Sequence, residues 1–236
     1  MPKRDNLQQT LWDIQQRFGS NALNTLRALS PDRETISTGF PTLDALLDEG
    51  GIVRGGITEL AGTPTSGVTT IAQKTLAQAQ GRDKTAVYLD VSGTFDPDYA
   101  VHCGIDLARL LIVRPPALAS AIEIARDLIR VESTGMVVVD AISQPTGKTG
   151  ALKPLHDAII RSRCAVLLLV PMSLTGDADR FFHTRLHVGR RAWLYEGDDI
   201  CGYEARVTVV KDKRQPGERQ VTVTIPVDRE IDGGAL

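Results

Sequence analysis

From residue 36 onward the chain alternates short apolar runs with stretches of helical periodicity. The runs Ile57–Ala61, Thr85–Asp90, Leu110–Val113, Met136–Asp140 and Ala165–Val170 are nearly continuous in apolar character. Such runs predict strands buried on both faces. The segments Thr69–Gln80, Tyr99–Cys103, Ala117–Glu132 and Leu152–Arg163 predict the intervening helices. That order implies an α/β fold, a parallel sheet covered by helices. After residue 184 the apolar period shortens to two, and Thr184–Val188, Ala205–Val210 and Gln220–Ile225 predict a C-terminal antiparallel meander. At the other end, Leu7, Leu11, Ile14 and Phe18 form the stripe of an N-terminal amphipathic helix that Gly19 terminates. A lone helix of this length is marginal in water, so the stripe must dock on its own core or on a neighbouring subunit. The expected organisation is a helix and linker over 1–33, a core over 34–228 and a short tail over 229–236.

Composition narrows the picture without deciding it. A hydrophobic content of 42% and a charged content of 24% are ordinary for a soluble globular chain. A net charge of -2 gives no global attraction to nucleic acid or membrane, so any DNA contact needs a local patch. Arg180, Arg185, Arg190 and Arg191 are interleaved with acids. Cys103, Cys164 and Cys201 are odd in number and widely spaced, which reads as reduced thiols. The run Cys164–Met172 is too short to cross a bilayer, and no hydrophobic segment follows the first residues, so the expectation is a cytoplasmic protein without membrane attachment. His183 and His187 are expected on one exposed strand face, with no Cys or acid to complete a metal site.

The candidate chemistry lies at residues 62–70, Gly62-Thr63-Pro64-Thr65-Ser66-Gly67-Val68-Thr69-Thr70. This matches the phosphate-loop pattern G-x-x-x-x-G-K-[ST] at every position except Val68. In such a loop, backbone N–H groups and a helix N-terminus cradle the phosphates, the lysine neutralises them and the hydroxyl holds Mg²⁺. Here Gly62, Thr65, Ser66, Gly67 and Thr70 keep the cradle, Thr69 keeps the hydroxyl, and the cation is replaced by an isopropyl group. Asp140 closes an apolar strand downstream, where a carboxylate orients Mg²⁺ through water. Thr69 and Asp140 are thus the candidate Mg²⁺ residues of a P-loop NTPase scaffold.

The segment Ile36-Ser37-Thr38-Gly39-Phe40-Pro41-Thr42-Leu43-Asp44-Ala45-Leu46-Leu47, continued by Gly50–Gly56, resembles the RecA family. So do Ile14–Gly19, Leu89–Ser92 with Phe95–Tyr99, Arg185–Arg191 and Arg206–Lys213, in that order along the chain. The resemblance implies a RecA-like ATPase core without the family's small C-terminal domain. It also implies that Leu7–Phe18 serve assembly, that Tyr99 stacks on adenine and that Asp96 accepts from its amine. Lys211 and Lys213 match lysines that reach a neighbouring subunit's nucleotide. The departures bear on one reaction cycle. The loop lysine is Val68, the glutamate that activates water is Ser92, and the glutamine that reports nucleotide state is Met172. The two DNA-carrying segments shrink to 143–150 and 173–179, the second holding Asp177 and Asp179.

A charge-assisted hydrogen bond contributes about 1.5–3 kcal/mol, so losing one lowers affinity by about one to two powers of ten. The lysine and the glutamate act mainly on the transition state, so hydrolysis suffers more than binding. The expectation is weak or lost ATP and Mg²⁺ binding and lost hydrolysis. The resemblance then implies a non-hydrolysing accessory of DNA repair and recombination within the DNA-damage (SOS) response. It would assemble with itself or with a RecA-type filament on single-stranded DNA. Two alternatives stay open: an active single-stranded-DNA-dependent recombinase with lysines acting in trans, and a regulator of translesion synthesis or cell division acting by protein contacts.

Overall fold

The computed structural model describes residues 34–47, 50–80, 84–143, 152–171, 176–213 and 215–227. The predicted N-terminal helix, the tail beyond residue 227 and Met172 lie outside the described residues. All the described residues belong to one compact unit, Glu34–Leu236.

The chain enters through β1 (Thr35–Ile36), which pairs antiparallel with β2 (Ile52–Val53). Between them, α1 (Pro41–Leu46) starts with its proline in the first turn, where a missing N–H costs nothing. Asp44 locks the segment, accepting from Ser37 Oγ at 2.6 Å and from Thr38 Oγ1 at 2.7 Å. The core follows as β3 (Ile57–Gly62), α2 (Val68–Ala79), β4 (Thr85–Asp90), α3 (Pro97–His102), β5 (Leu110–Val113), α4 (Leu118–Leu128), β6 (Thr134–Asp140), α5 (Leu152–Ile159) and β7 (Ala165–Val170). Three long strands close the chain: β8 (Thr184–Glu196), β9 (Asp199–Asp212) and β10 (Arg219–Pro226).

Among the described residues these form an eight-stranded sheet in the order β10-β9-β8-β3-β7-β6-β4-β5. Strands β3 to β7 are parallel, as the apolar runs predict. The C-terminal meander does not form a separate layer. Strand β8 pairs parallel with β3 and antiparallel with β9, so it extends the same sheet. It also runs eight residues further than the predicted Thr184–Val188. The physical reason is its pairing: β9 supplies partners along the whole hairpin, and backbone hydrogen bonds continue after the apolar alternation ends.

Period-two alternation sorts the core into two layers. On β7, Ala165, Leu167 and Leu169 face a cluster with Ile71 and Leu76 of α2, whereas Val166, Leu168 and Val170 face Ile122 of α4 and Leu155 of α5. The first cluster continues across Leu186, Val207 and Ile225, so one apolar layer joins α2 to the meander. Both faces of the central strands are covered. The reverse face of β8–β10 exposes His187, Arg206 and Thr224, as in an antiparallel sheet with one wet side.

This layering predicts unequal costs for equal truncations. Leu167→Ala in the central strand should destabilise the fold by about 2–5 kcal/mol, and Leu111→Ala on edge strand β5 by less than about 1 kcal/mol. Urea denaturation of the two variants checks the contrast.

Candidate functional site

The loop 62–70 joins β3 to α2 at the C-terminal edge of the sheet. Its geometry is set by backbone crowding. A Cβ at Gly62 would lie 2.5 Å from the Val188 carbonyl and 2.7 Å from Ser66 Oγ. The Ser66 N–H donates to the Thr63 carbonyl at 3.1 Å, and Thr65 and Gly67 take left-handed φ values of 67° and 101°. A tight turn between β3 and α2 is therefore present where the sequence places the loop.

Its interior is apolar. Val68, the first residue of α2, is 2% exposed and belongs to the same cluster as Ile71, Val188, Ala205 and Ile225. Its Cγ2 packs within 2.7 Å of where a Gly62 Cβ would stand. Ile225 Cδ1 and the Tyr203 hydroxyl press on Gly67 from the meander, 2.6 Å and 3.4 Å from its notional Cβ. The space left between loop residues 63–70, Ile142 and Tyr203 is about 80 Å³. Ligand pockets are typically about 300–1,000 Å³. The cation at the loop's mouth is Arg190, whose Nη1 donates to Thr65 Oγ1 at 3.4 Å while its guanidinium lies over Trp193.

The helix start is closed by hydroxyls. Thr69 is half-buried, and Thr70 is buried with its Oγ1 2.6 Å from the Tyr99 hydroxyl. Burial pushes the Tyr99 phenol up to about 12. Asp96 caps α3: its Oδ1 accepts from the N–H groups of Asp98 at 2.9 Å and Tyr99 at 3.2 Å.

Asp140 ends β6 with no solvent exposure. Its Oδ2 accepts from the Tyr88 hydroxyl at 2.5 Å, and its Oδ1 from Ser92 Oγ at 3.2 Å and from the Ile142 N–H at 3.1 Å. Burial raises its carboxyl above the usual range, opposed by these donors. Burial, followed by the Asp140 charge, holds the Tyr88 phenol well above its ordinary value. Ser92 also accepts from the Ser143 N–H at 3.1 Å, so this side chain is tied to the end of β6. Both Asp140 oxygens are thus engaged inside the protein.

Lys211 lies in β9, half-buried, and its Nζ donates to Asp179 Oδ2 at 2.8 Å and to the Asp179 carbonyl. Lys213 follows the strand and is exposed. Asp179 also accepts from Arg185 Nη1 at 2.7 Å, while Arg185 Nε pairs with the buried Glu59 at 3.0 Å. The acids beside the predicted basic residues therefore act on them directly. One expectation fails: His183 is only 7% exposed and does not share an open face with His187. It precedes β8, where its Nδ1 lies 3.2 Å from Thr184 Oγ1. Leu7, Leu11, Ile14, Phe18 and Met172 lie outside the described residues.

Tyr88, Tyr203 and Ile225 were not singled out from the sequence, and Arg190 only as one of a group of basic residues. A phenol inside an otherwise apolar strand was a readable sign for Tyr88, because a buried hydroxyl needs a partner. The other three reach the loop through strand pairing at long range, which leaves no local signal.

A RecA N-terminal domain model matches residues 5–160, two thirds of the chain. The chain belongs to the RecA family. It is 31% identical over 261 aligned positions to protein RecA of Acinetobacter baylyi, covering 94% of this chain and 74% of that protein. Protein RecA of Rhodospirillum centenum is 32% identical over 95% and 73% of the two chains, and that of Aquifex pyrophilus 33% over 91% and 71%. Within this RecA-like core, no described helix is long and apolar enough to cross a membrane.

Two measurements test the site's electrostatics. The Lys211 hydrogen bond, assisted by Arg185, holds the Asp179 carboxyl below its ordinary value. The stability it contributes is present above that ordinary value and is lost as pH falls through the lowered one. Asp179→Asn should therefore be less stable than the parent near neutral pH and equal to it in acid, as read by denaturation at several pH values. Val68→Lys puts an ammonium into the apolar cluster and should lower stability by several kcal/mol without creating ATP turnover. An unchanged melting temperature together with new hydrolysis would contradict this reading of the loop.

Proposed function

We propose that this RecA-family chain is a DNA repair and recombination accessory that does not hydrolyse ATP and works by assembly. The observation that carries the reading is the joint state of Val68 and Asp140. The side chain at the lysine position is part of the hydrophobic core, and both oxygens of the metal-side carboxylate are engaged by Tyr88, Ser92 and Ile142. The site fits a magnesium–triphosphate poorly: no cation stands at position 68, both Asp140 oxygens are engaged, and the space at the loop is about 80 Å³. ATP and Mg²⁺ binding is weak or lost on this reading. Ser92 cannot act as a general base at neutral pH, and it is already tied to Asp140.

Two exposed surfaces support assembly on this reading. Edge strand β5 exposes Leu111 at 42% and Ile112 at 36%, an apolar edge suited to a stripe such as Leu7–Phe18 from a second copy or a RecA-type partner. The bare face of β8–β10 presents Arg191 and Arg206 around a concavity of about 460 Å³ that His187 and Thr208 help to line. Trp193, 41% exposed under the Arg190 guanidinium, stands near the hairpin tip. Cations with an exposed aromatic suit single-stranded DNA, though Glu204 neutralises Arg191 at 3.1 Å and limits the phosphates engaged. The division into 1–33, 34–228 and 229–236, the cytoplasmic location and a place in the DNA-damage (SOS) response belong to the same proposal. The recombinase alternative is less favoured, because Lys211 is held by Asp179 of its own chain.

ATP turnover measured with and without single-stranded DNA should stay at the buffer level, and robust DNA-stimulated hydrolysis would overturn the proposal. In the same preparation, Arg206→Glu should weaken oligonucleotide binding and flatten its salt dependence by about one phosphate contact.

A further inference from the structure

A wide concavity lies away from the loop, at the opposite edge of the parallel sheet. It is a cleft of about 850 Å³ where β4, β6 and β7 begin and where α4 and α5 end. Its lining carries the cations Lys84, Arg130, Arg161 and Arg163 against the acids Glu132 and Asp157. On a chain of net charge -2 this is a local inversion of sign. Part of it has a structural reason, since two helix C-termini end here and favour cations. Lys84 meets that need by donating from Nζ to the Glu132 carbonyl at 2.6 Å. Arg54 does the same below the cleft, bonding the carbonyls of Gly135 at 3.0 Å and Arg163 at 3.1 Å. Asp157 is already paired with Lys153 at 2.7 Å. The Arg161 and Arg163 side chains are exposed and have no hydrogen bond or ion pair among the described residues. Two guanidiniums therefore remain beyond what the helix ends use.

Between these polar groups lie a few aliphatic side chains. Pro154, Ala158 and Val131 line the cleft, Val131 being 49% exposed, over the buried Ile129. No aromatic side chain lines it, in contrast to the β8–β9 hairpin. Single-stranded nucleic acid is usually held by cations combined with aromatic platforms, so a bare phosphate backbone is the poorer match. Guanidiniums pair carboxylates through two parallel hydrogen bonds, and aliphatic recesses accept aliphatic anchors.

We propose that this cleft is a docking site for an acidic peptide segment of a partner protein, with carboxylates on Arg161 and Arg163 and aliphatic side chains against Val131 and Pro154. The site is separate from the phosphate loop and does not depend on nucleotide binding.

Fluorescence anisotropy tests it with three labelled probes: a short peptide of glutamates with leucines at helical spacing, the same peptide with serine for leucine, and a single-stranded oligonucleotide. The full-length protein should bind the glutamate–leucine peptide. Arg161→Glu combined with Arg163→Glu should weaken that binding by about tenfold or more, while the double lysine variant at the same positions retains most of it. Arg206→Glu on the hairpin should leave it unchanged. The melting temperature of each variant separates lost binding from lost folding. Equal binding of the serine peptide would reduce the site to a general counterion effect and overturn the proposal. So would an oligonucleotide whose binding the Arg161/Arg163 reversal abolishes, or failure of the parent protein to bind the glutamate–leucine peptide.

Discussion

The contact between the phosphate loop and the C-terminal meander organises this molecule. Gly67 lies under Ile225 and Tyr203, and Val68 joins Ala205 and Val188 in one apolar layer. In a nucleotide-binding loop, the residue after the second glycine must keep its charge free for the phosphates. Here that residue contributes to burial instead. At about 25 cal/mol per Å² of apolar surface removed from water, burying a valine side chain stabilises a fold by about 1.5 kcal/mol or more. The first residue of α2 is thereby part of the core, and the loop's shape is held by packing from both sides.

Internal pairing likewise holds Asp140. A buried carboxylate without partners is costly, and a metal ion is one way to satisfy it. In this chain Tyr88, Ser92 and the Ile142 N–H satisfy it from within. The network Glu59–Arg185–Asp179–Lys211 repeats the pattern further along the sheet, where a lysine that resembles a trans-acting one is held by its own subunit. These sites share one physical logic. Asp140 and Lys211, which would meet a ligand or a neighbour in a nucleotide-driven assembly, find partners inside one chain. Exposed apolar or basic side chains remain on the β5 edge, on the outer face of the hairpin and at the cleft beneath the sheet.

Much of this was legible from the chain itself. Five apolar runs read as buried parallel strands because a parallel strand covered on both faces has no polar side to show. The glycine spacing read as a loop because left-handed backbone at Gly67 and the close approach of Val188 to Gly62 leave few other residues possible. Arg161 and Arg163 drew no notice, since a charge near a helix end looks the same whether or not it has a spare function. His183 misled because a spacing of four within a presumed strand says nothing about the loop that leads into it.

The sequence by itself determined the order of elements, the family and the identity of the missing charge. These are properties of residue type and near-neighbour spacing, which strand and helix periodicity translate directly into structure. Only the tertiary structure decided where Val68 points, what holds Asp140 and what restrains Lys211. Each depends on side chains between 20 and 160 residues away in the chain, such as Ser92 for Asp140 and Ile225 for the loop, brought together by sheet pairing. A replacement of lysine by valine is visible as a lost charge at once. Whether the site is then an empty cradle or a filled core is a question of packing volume, and volume is a property of the folded chain.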